Sequence, residues 1–112
     1  MTPACSQCLD VTTHCVRAAE TCAVCCGTSG NRERERCAQL ARDCSDIGRL
    51  AELLMLRGSP TTGEACELHA VACDALAAEC AHWPNEACCQ EAMLAAQACA
   101  VACRSCSVRF AA

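Results

Sequence analysis

Cysteine, which is buried like a small hydrophobe when its thiol is free, recurs along this chain at intervals of seven residues. The repeats are Cys8, Cys15 and Cys22; Cys37 and Cys44; Cys66, Cys73 and Cys80; and Cys99 and Cys106. Positions seven apart return to nearly the same face of a helix, about 10 Å further along its axis. A disulfide needs Cα atoms within about 7 Å, so each stripe must find its partners on other helices.

Turn-forming residues divide the chain into four helical segments. Ala, Leu, Glu and Arg are abundant between the turns, and these are strong helix formers. The predicted helices span about residues 3–26, 31–57, 62–81 and 84–109. We therefore expect one domain, residues 1–112, with an all-α fold: an antiparallel up-down-up-down four-helix bundle with a cysteine-lined core.

Several residues at the predicted helix ends have the chemistry of caps and stops. Gly27 is expected to end the first helix. In the second helix, the apolar stretch from Leu50 to Leu56 is expected to be packed within the bundle. The predicted caps are Thr2 before Pro3, Ser29 or Asn31, Thr61 in a capping box with Glu64, and Pro84 at the first position of the fourth helix.

The composition adds a chemical constraint. Cysteine makes up 16 of the 112 residues, whereas the chain has one Trp, one Phe and no Tyr. Such a cysteine content indicates either a disulfide scaffold or a metal–thiolate protein. Disulfide scaffolds are usually small, secreted and rich in loops, whereas this sequence is predicted to be mostly helical.

Charge and hydropathy exclude several partners. The net charge is −4 with mixed signs and no basic stripe, so we expect no nucleic-acid partner. No targeting segment and no run of about 18 apolar residues is visible, so we expect no membrane span and interpret the protein as cytoplasmic. Thiols in that compartment stay reduced, which favours metal binding over disulfides.

An antiparallel bundle would group the cysteines into three levels. The level nearest Trp83 is expected to hold Cys22, Cys37, Cys80 and Cys89. The middle level is expected to hold Cys15, Cys44, Cys73 and Cys99. The far level is expected to hold Cys8, Cys66 and Cys103, with Cys5 and Cys106 as further candidates. The core would then be a tube lined with thiols.

Other titratable residues carry weaker signals. His69 lies on the inward stripe four residues before Cys73, where an imidazole is either a ligand or a buried side chain that needs a hydrogen bond. His14 and His82 are expected at the surface. The alternating charges of residues 32–36 are typical of a solvated helix face. No single thiol stands out beside a base, so we do not expect an enzyme.

Many thiols without nearby carboxylates favour a thiophilic metal. Thiolate ligands suit Cu(I), zinc or iron–sulfur clusters. A single structural zinc would use four ligands, whereas sixteen cysteines imply many ions. The pairs Cys22 with Cys26 and Cys99 with Cys103 are four residues apart on one helix face, close enough to hold a low-coordinate ion such as Cu(I).

Three segments carry a family resemblance: residues 37–47 (CAQLARDCSDI), residues 79–82 (ECAH), and the Cys99 to Cys103 pair followed by Arg104 and Ser105. Over nearly its whole length the chain resembles the cysteine-rich four-helix bundle copper storage proteins, particularly their cytosolic, leaderless branch. The resemblance implies storage or detoxification of multiple Cu(I) ions and assembly as a homo-oligomer, commonly a tetramer. It implies ligand roles for Cys8, Cys15, Cys22, Cys26, Cys37, Cys44, Cys73, Cys80, Cys89, Cys99 and Cys103.

The departures from this family pattern keep two alternatives open. Where the family would place further cysteines, the chain has Thr12, Ala19, Gly48, His69, Leu76, Ala92 and Ala96. Most are small, and the room they leave would suit [4Fe-4S] clusters held by one cysteine from each helix, as in an electron carrier or cluster store. The second alternative is a structural bundle stapled by disulfides. Cysteines outside the family pattern are Cys5, Cys25, Cys66, Cys88 and Cys106.

Overall fold

The computed structural model describes the backbone of residues 3–110 and the side chains of residues 6–108. This part of the chain forms an all-helical bundle. Its helices are α1 (Pro3–Gly27), α2 (Glu35–Leu56), α3 (Thr62–Cys80) and α4 (Ala87–Phe110), with a short 3-10 helix at Arg32–Arg34. Each helix packs against its neighbours in the chain, and α1 also packs against α4, which closes an antiparallel bundle. The predicted fold class is confirmed.

The bundle is long and narrow, with principal extents of 45 × 18 × 17 Å. Its buried positions are occupied mainly by cysteine and alanine, and among the described side chains Leu76 is the largest that is fully buried. Such small side chains let the helix backbones approach closely, so the thiols of all four helices meet along the axis. None of the described helices is long and apolar enough to cross a bilayer.

In the link between α1 and α2, the residues that were expected to end one helix and cap the next have different roles. Gly27 still belongs to α1, and the left-handed conformation is adopted by Gly30, at φ 76°. The Asn31 side chain accepts a hydrogen bond from the Glu33 backbone N–H, at 3.0 Å, and so caps the 3-10 helix. Thr2, the predicted cap of α1, lies outside the described residues.

The link between α2 and α3 corrects the predicted capping box. Thr61 is exposed and its side chain makes no cap hydrogen bond to α3. The buried Thr62 hydroxyl contacts the carbonyls of Ser59, at 2.6 Å, and Leu54, at 3.1 Å. Gly58 adopts φ 63°, which lets the Ser59 N–H reach the Leu54 carbonyl and close α2. Thr61 fails as a cap because its own backbone is already helical.

The predicted start of α4 at Pro84 is wrong. Pro84 lies in a turn in which the Glu86 N–H donates to the Trp83 carbonyl, at 3.1 Å, and α4 begins at Ala87. The Gln90 side chain donates to the same Trp83 carbonyl, at 3.2 Å. Proline suits the second position of such a turn as well as it suits a helix start, and this is why the sequence pattern was ambiguous.

The apolar stretch Leu50 to Leu56 is only partly packed. Leu54 and Met55 are buried, as is Ala51. Leu50, Leu53 and Leu56 are 45%, 57% and 60% exposed, which corrects the expectation that the whole stretch lies inside. An apolar run of this length on a helix, even one interrupted by Glu52, turns some members outward because one face covers only part of each turn.

The two threonines of the second link give a matched test of the observed cap. Replacing Thr62 with Val keeps the side-chain shape but removes a buried hydroxyl that bonds to two carbonyls, and we expect a loss of about 1–2 kcal/mol in the free energy of unfolding. Thr61→Val should change it by less than about 0.5 kcal/mol because Thr61 is exposed. Urea unfolding of the reduced protein measures both values. Equal losses would contradict this assignment.

Candidate metal centre

Thiols line the bundle from one end to the other. Thirteen of the fifteen cysteines whose side chains are described are buried, and only Cys25 and Cys88 are partly exposed. No disulfide joins any of these fifteen. The side chain of Cys5 lies outside the described part of the chain. Four sets of side chains bring their donor atoms within 4.8 Å of one another, which is close enough to share a metal ion.

The level nearest Trp83 is a tetrathiolate set with one cysteine from each helix. Its members are Cys22, Cys37, Cys80 and Cys89. The Cys37 sulfur lies 3.8 Å from the sulfurs of Cys22 and Cys80 and 3.9 Å from that of Cys89. This grouping is the one that the heptad spacing predicted. Cys26 adjoins it, 3.9 Å from Cys22 and 3.7 Å from Cys89, so the expected pairing of Cys22 with Cys26 is also observed.

The middle level contains an imidazole as well as thiols. Cys15, Cys73 and Cys99 share a set with His69, from which Cys44 is displaced. Cys44 still touches this set, with its sulfur 3.7 Å from Cys73 and 3.6 Å from His69 Nε2. The predicted four-cysteine level is therefore modified, because the imidazole lies between the thiol of α2 and those of α4.

The far level consists of Cys8, Cys66 and Cys106. Cys103, which was expected here, also reaches towards the middle level, with its sulfur 3.7 Å from Cys99 and 3.5 Å from His69 Nδ1. It also interacts with Cys8 and Cys66. Cys103 thus connects the two levels, and the thiol array runs without a break through this half of the bundle.

Arg34 is a residue of this site that the sequence pattern did not reveal. It belongs to the alternating charges at 32–36, which were expected to be solvated, yet its side chain is only 8% exposed. One guanidinium nitrogen donates towards three sulfurs, Cys26 at 3.5 Å and Cys25 and Cys88 at 3.6 Å each. Burial raises the pKa of Cys26, and the hydrogen bond from Arg34 opposes that effect because a cation stabilises the thiolate. The sequence held no specific signal for this, since Arg32 and Arg36 in the same stretch are exposed.

Two further contacts hold Arg34 at this end of the bundle. Its guanidinium lies over the Trp83 ring, 5.9 Å from the centroid, and it forms an ion pair with Glu86 at 3.6 Å. The 3-10 helix and the α3–α4 turn thus cover the end of the thiol array together. Cys25 and Cys88, beside this cover, are the thiols that solvent reaches among the described residues.

Sulfur–sulfur contact shifts the thiol pKa values in opposite directions. Hydrogen bonds from Cys15 and Cys73 lower the pKa of Cys44 to about 3, whereas hydrogen bonds to Cys15 and Cys44 raise the pKa of Cys73. Contact with neighbouring thiols thus favours the ionised form of Cys44 and the neutral form of Cys73. Burial lowers the pKa of His69, but hydrogen bonds to Cys103 and Cys15 outweigh that effect and raise it. Thiols whose pKa is lowered in this way favour the binding of cations.

The expected room around the smaller residues is absent at Gly48. A Cβ atom placed there would lie 2.7 Å from a Val16 methyl carbon and 2.8 Å from His69 Nε2. The imidazole occupies the space beside Gly48, a position at which the resemblance implied a further cysteine. Thr12, another such position, is buried and contacts the sulfurs of Cys99 and Cys103 at 3.7 and 3.9 Å.

A family model described as "Copper storage protein" matches residues 1–108. The chain belongs to this family. The solved structures similar to this copper storage family member include Csp3 (copper storage protein 3) of Bacillus subtilis in a Cu(I)-bound form, with 32% identity, 91% of this chain and 96% of that chain covered, and a TM-score of 0.84. The apo form from Bacillus subtilis shows 30% identity, 91% and 97% coverage, and a TM-score of 0.84.

A third similar structure is the Nmul_A1745 protein of Nitrosospira multiformis. It is 24% identical, covers 97% of this chain and 99% of its own, and has a TM-score of 0.86, a likeness that concerns the fold. A search of the curated proteins found no match. The family assignment rests on the family model and the Csp3 structures, and all three solved structures share the fold.

The thiol pKa values predict how the metal-free copper storage bundle responds to alkali. Burial raises the pKa of Cys88 to about 12 and that of Cys89 to about 11, from an ordinary value of 9.0. The folded state therefore favours the neutral thiols. The stability that they contribute is complete below pH 9 and is lost as the pH rises through 11–12.

Thermal unfolding of the reduced apo-protein at a series of pH values tests this. We expect the melting temperature to fall between pH 9 and 11. The chain has no Tyr and no Lys, so cysteine is the side chain that titrates in this range. In the Cys88→Ala variant the fall should be shallower. A melting temperature that stays constant up to pH 11 would show that the buried thiols ionise as easily as exposed ones.

Proposed function

We propose that this protein stores or sequesters multiple Cu(I) ions through its core cysteine thiolates. The observation that carries the proposal is the grouping of buried sulfurs at van der Waals contact, with neighbours 3.7–3.9 Å apart among Cys26, Cys89 and Cys37 at one end and 3.7 Å apart between Cys99 and Cys103 further along. Thiolate is the protein ligand that best suits Cu(I). Such an array supplies every ion with two or three sulfurs and excludes water from it.

The proposed ligands extend over the full length of the bundle. Cys25 and Cys88 are partly exposed and lie at the Arg34-covered end of the array, where the Cys88 sulfur is also within 4.8 Å of those of Cys26 and Cys89. His69 is the one proposed nitrogen ligand. The proposed metal ligands are Cys5, Cys8, Cys15, Cys22, Cys26, Cys37, Cys44, Cys66, Cys73, Cys80, Cys89, Cys99, Cys103, Cys106 and His69.

Similarity to the Cu(I)-bound Csp3 of Bacillus subtilis supports copper as the cargo. The same family membership supports a role in storage. Within the core, each of the four possible metal sites among the described residues contains at least three cysteines. We therefore assign the chain to metal homeostasis, acting in the cytoplasm, where reduced thiols persist.

The [4Fe-4S] alternative has less support from the geometry. The sulfurs of Cys22, Cys37 and Cys80 are at the separation expected for thiolates that share one ion, since tetrahedral ligands at about 2.3 Å lie about 3.8 Å apart. A four-iron cluster places its own core between the cysteine sulfurs and so holds them further apart. The close sulfur contacts favour single ions.

The charge of the core also suits a soft monovalent ion. A Cu(I) ion held by two thiolates carries a net charge of −1, so a long array accumulates negative charge unless cations offset it. Arg34 places a guanidinium within 3.6 Å of three sulfurs at one end. The buried guanidinium offsets the charge where the array is nearest to solvent.

Anaerobic titration of the reduced apo-protein against a competing Cu(I) chelator tests storage. We expect several tightly bound equivalents per chain. Replacing both Cys22 and Cys26 with Ala should remove a few ions and leave most of the capacity, because each ion depends only on neighbouring thiols. The Ser45→Ala variant, which changes a buried hydroxyl without removing a sulfur, should keep the full capacity. Saturation at one ion or fewer would exclude storage, and loss of all metal from one cysteine change would favour a cluster.

We also propose that the chain forms a homo-oligomer, a tetramer by family resemblance. Branched apolar side chains are well exposed on the helices, among them Leu68 at 50%, Val71 at 55% and Leu94 at 63%. Covering them would stabilise an assembly. Sedimentation equilibrium should give a mass above the 11.7 kDa of one chain, and the Leu68→Glu variant should shift it downward. A monomer at all concentrations would refute the oligomer and leave metal storage untouched.

A further inference from the structure

The imidazole of His69 lies in the middle of the core and has only thiols as hydrogen-bond partners among the described residues. The residue is 0% exposed. Nε2 is 3.6 Å from the Cys44 sulfur, and Nδ1 is 3.6 Å from Cys99 and 3.5 Å from Cys103. A metal-binding histidine uses one ring nitrogen for the ion and fixes the ring by a hydrogen bond through the other. Both roles are available to His69.

From these contacts we propose that His69, Cys15, Cys73 and Cys99 form a distinct site for one tetrahedral divalent cation of the zinc class within the thiol core. The donor atoms of all four side chains lie within 4.8 Å of one another. They come from α1, α3 and α4, and His69 and Cys73 share one face of α3 because they are four residues apart. The set is the Cys3His combination of closed structural zinc sites.

The distances fit a tetrahedron around one ion. With Zn–S near 2.3 Å and Zn–N near 2.0–2.1 Å, tetrahedral ligands are about 3.8 Å apart between sulfurs and about 3.5 Å apart between sulfur and nitrogen. The Cys15 and Cys73 sulfurs are 3.8 Å apart, and the Cys99 sulfur is 3.6 Å from His69 Nδ1. These two separations match a bound ion, and the other donor atoms of the set lie within 4.8 Å of one another.

The surroundings of the ring orient it for this role. Nδ1 faces the thiols of α4, so it is the nitrogen that binds the ion, and the Nε2 hydrogen then points to the Cys44 sulfur and donates to it. Gly48 gives the ring its space, since a Cβ at that position would lie 2.8 Å from Nε2. His69 and Gly48 thus fit together. Gly48 is a position on α2 where the resemblance implied a further cysteine, and its lack of a side chain leaves space for the imidazole.

The ligand chemistry separates this site from the rest of the core. Three thiolates and a neutral imidazole around a divalent cation carry a net charge of −1, whereas the same ligands around Cu(I) carry −2 in a buried place. The lower charge reduces the cost of desolvation. Imidazole also suits zinc better than it suits Cu(I), because Cu(I) is selected by softer ligands such as thiolate. The all-thiol sets on either side keep their preference for Cu(I).

Zinc binding to the reduced full-length apo-protein tests the proposal, with cobalt(II) as the spectroscopic probe and zinc X-ray absorption to count nitrogen ligands. We expect a nitrogen ligand in the wild type and tetrahedral cobalt bands. The His69→Gln variant should lose one equivalent of zinc together with the nitrogen signal. His69→Cys should keep that equivalent and lose only the nitrogen. The exposed His14→Gln serves as control and should change neither.

The two variants separate ligation from folding. His69→Cys places a thiol, abundant elsewhere in this core, at the same position, so retained zinc without nitrogen identifies His69 as the ligand. An unchanged number of zinc equivalents and an unchanged nitrogen signal in His69→Gln would overturn the proposal. Cu(I) capacity is measured separately: many Cu(I) ions but no imidazole-bound zinc refutes this site alone, whereas imidazole-bound zinc with little Cu(I) refutes copper storage alone.

Discussion

Contact between small buried side chains across the bundle axis is the interaction on which the rest of the structure depends. Cysteine and alanine fill most of the core, and the four helices approach closely enough for sulfurs to touch at 3.7–3.9 Å. Each thiol is then packed as a hydrophobe and available as a ligand at the same position. A core of larger aliphatic residues would stabilise the bundle more, but it would separate the sulfurs and hold no metal array.

The same packing creates an electrostatic demand, since a buried thiolate needs a positive charge or a hydrogen-bond donor beside it. Thiols removed from water ionise only where a hydrogen-bond donor or a cation is near. Arg34 meets this demand at one end, where it reaches three sulfurs, and His69 meets it in the middle, between Cys44 and the thiols of α4. The tetrathiolate level between them contains sulfur alone. The core is therefore chemically divided along its length, although its stripes look uniform in the sequence.

The links between the helices serve this arrangement. The α1–α2 link carries Arg34 onto the end of the core, and the α3–α4 turn brings Trp83 and Glu86 onto the same cation. At the opposite end, the Thr62 hydroxyl and the left-handed Gly58 close α2 without a cysteine. One end of the thiol array is thus covered by a cation and has partly exposed cysteines beside it.

The sequence by itself determined the helices, the bundle and one complete level of the site. A seven-residue interval defines a helix face, and antiparallel order defines which thiols share a height, so Cys22, Cys37, Cys80 and Cys89 followed from spacing alone. Only the tertiary structure decided the rest. Axial stagger gives Cys103 its bridging position, the space at Gly48 sets the contacts of His69, and the turns decide that Thr62, not Thr61, bonds to α2. Periodicity specifies the direction in which a side chain leaves its own helix. The side chains that it contacts depend on the axial shift, the rotation and the connections of the helices, and no local sequence pattern specifies these.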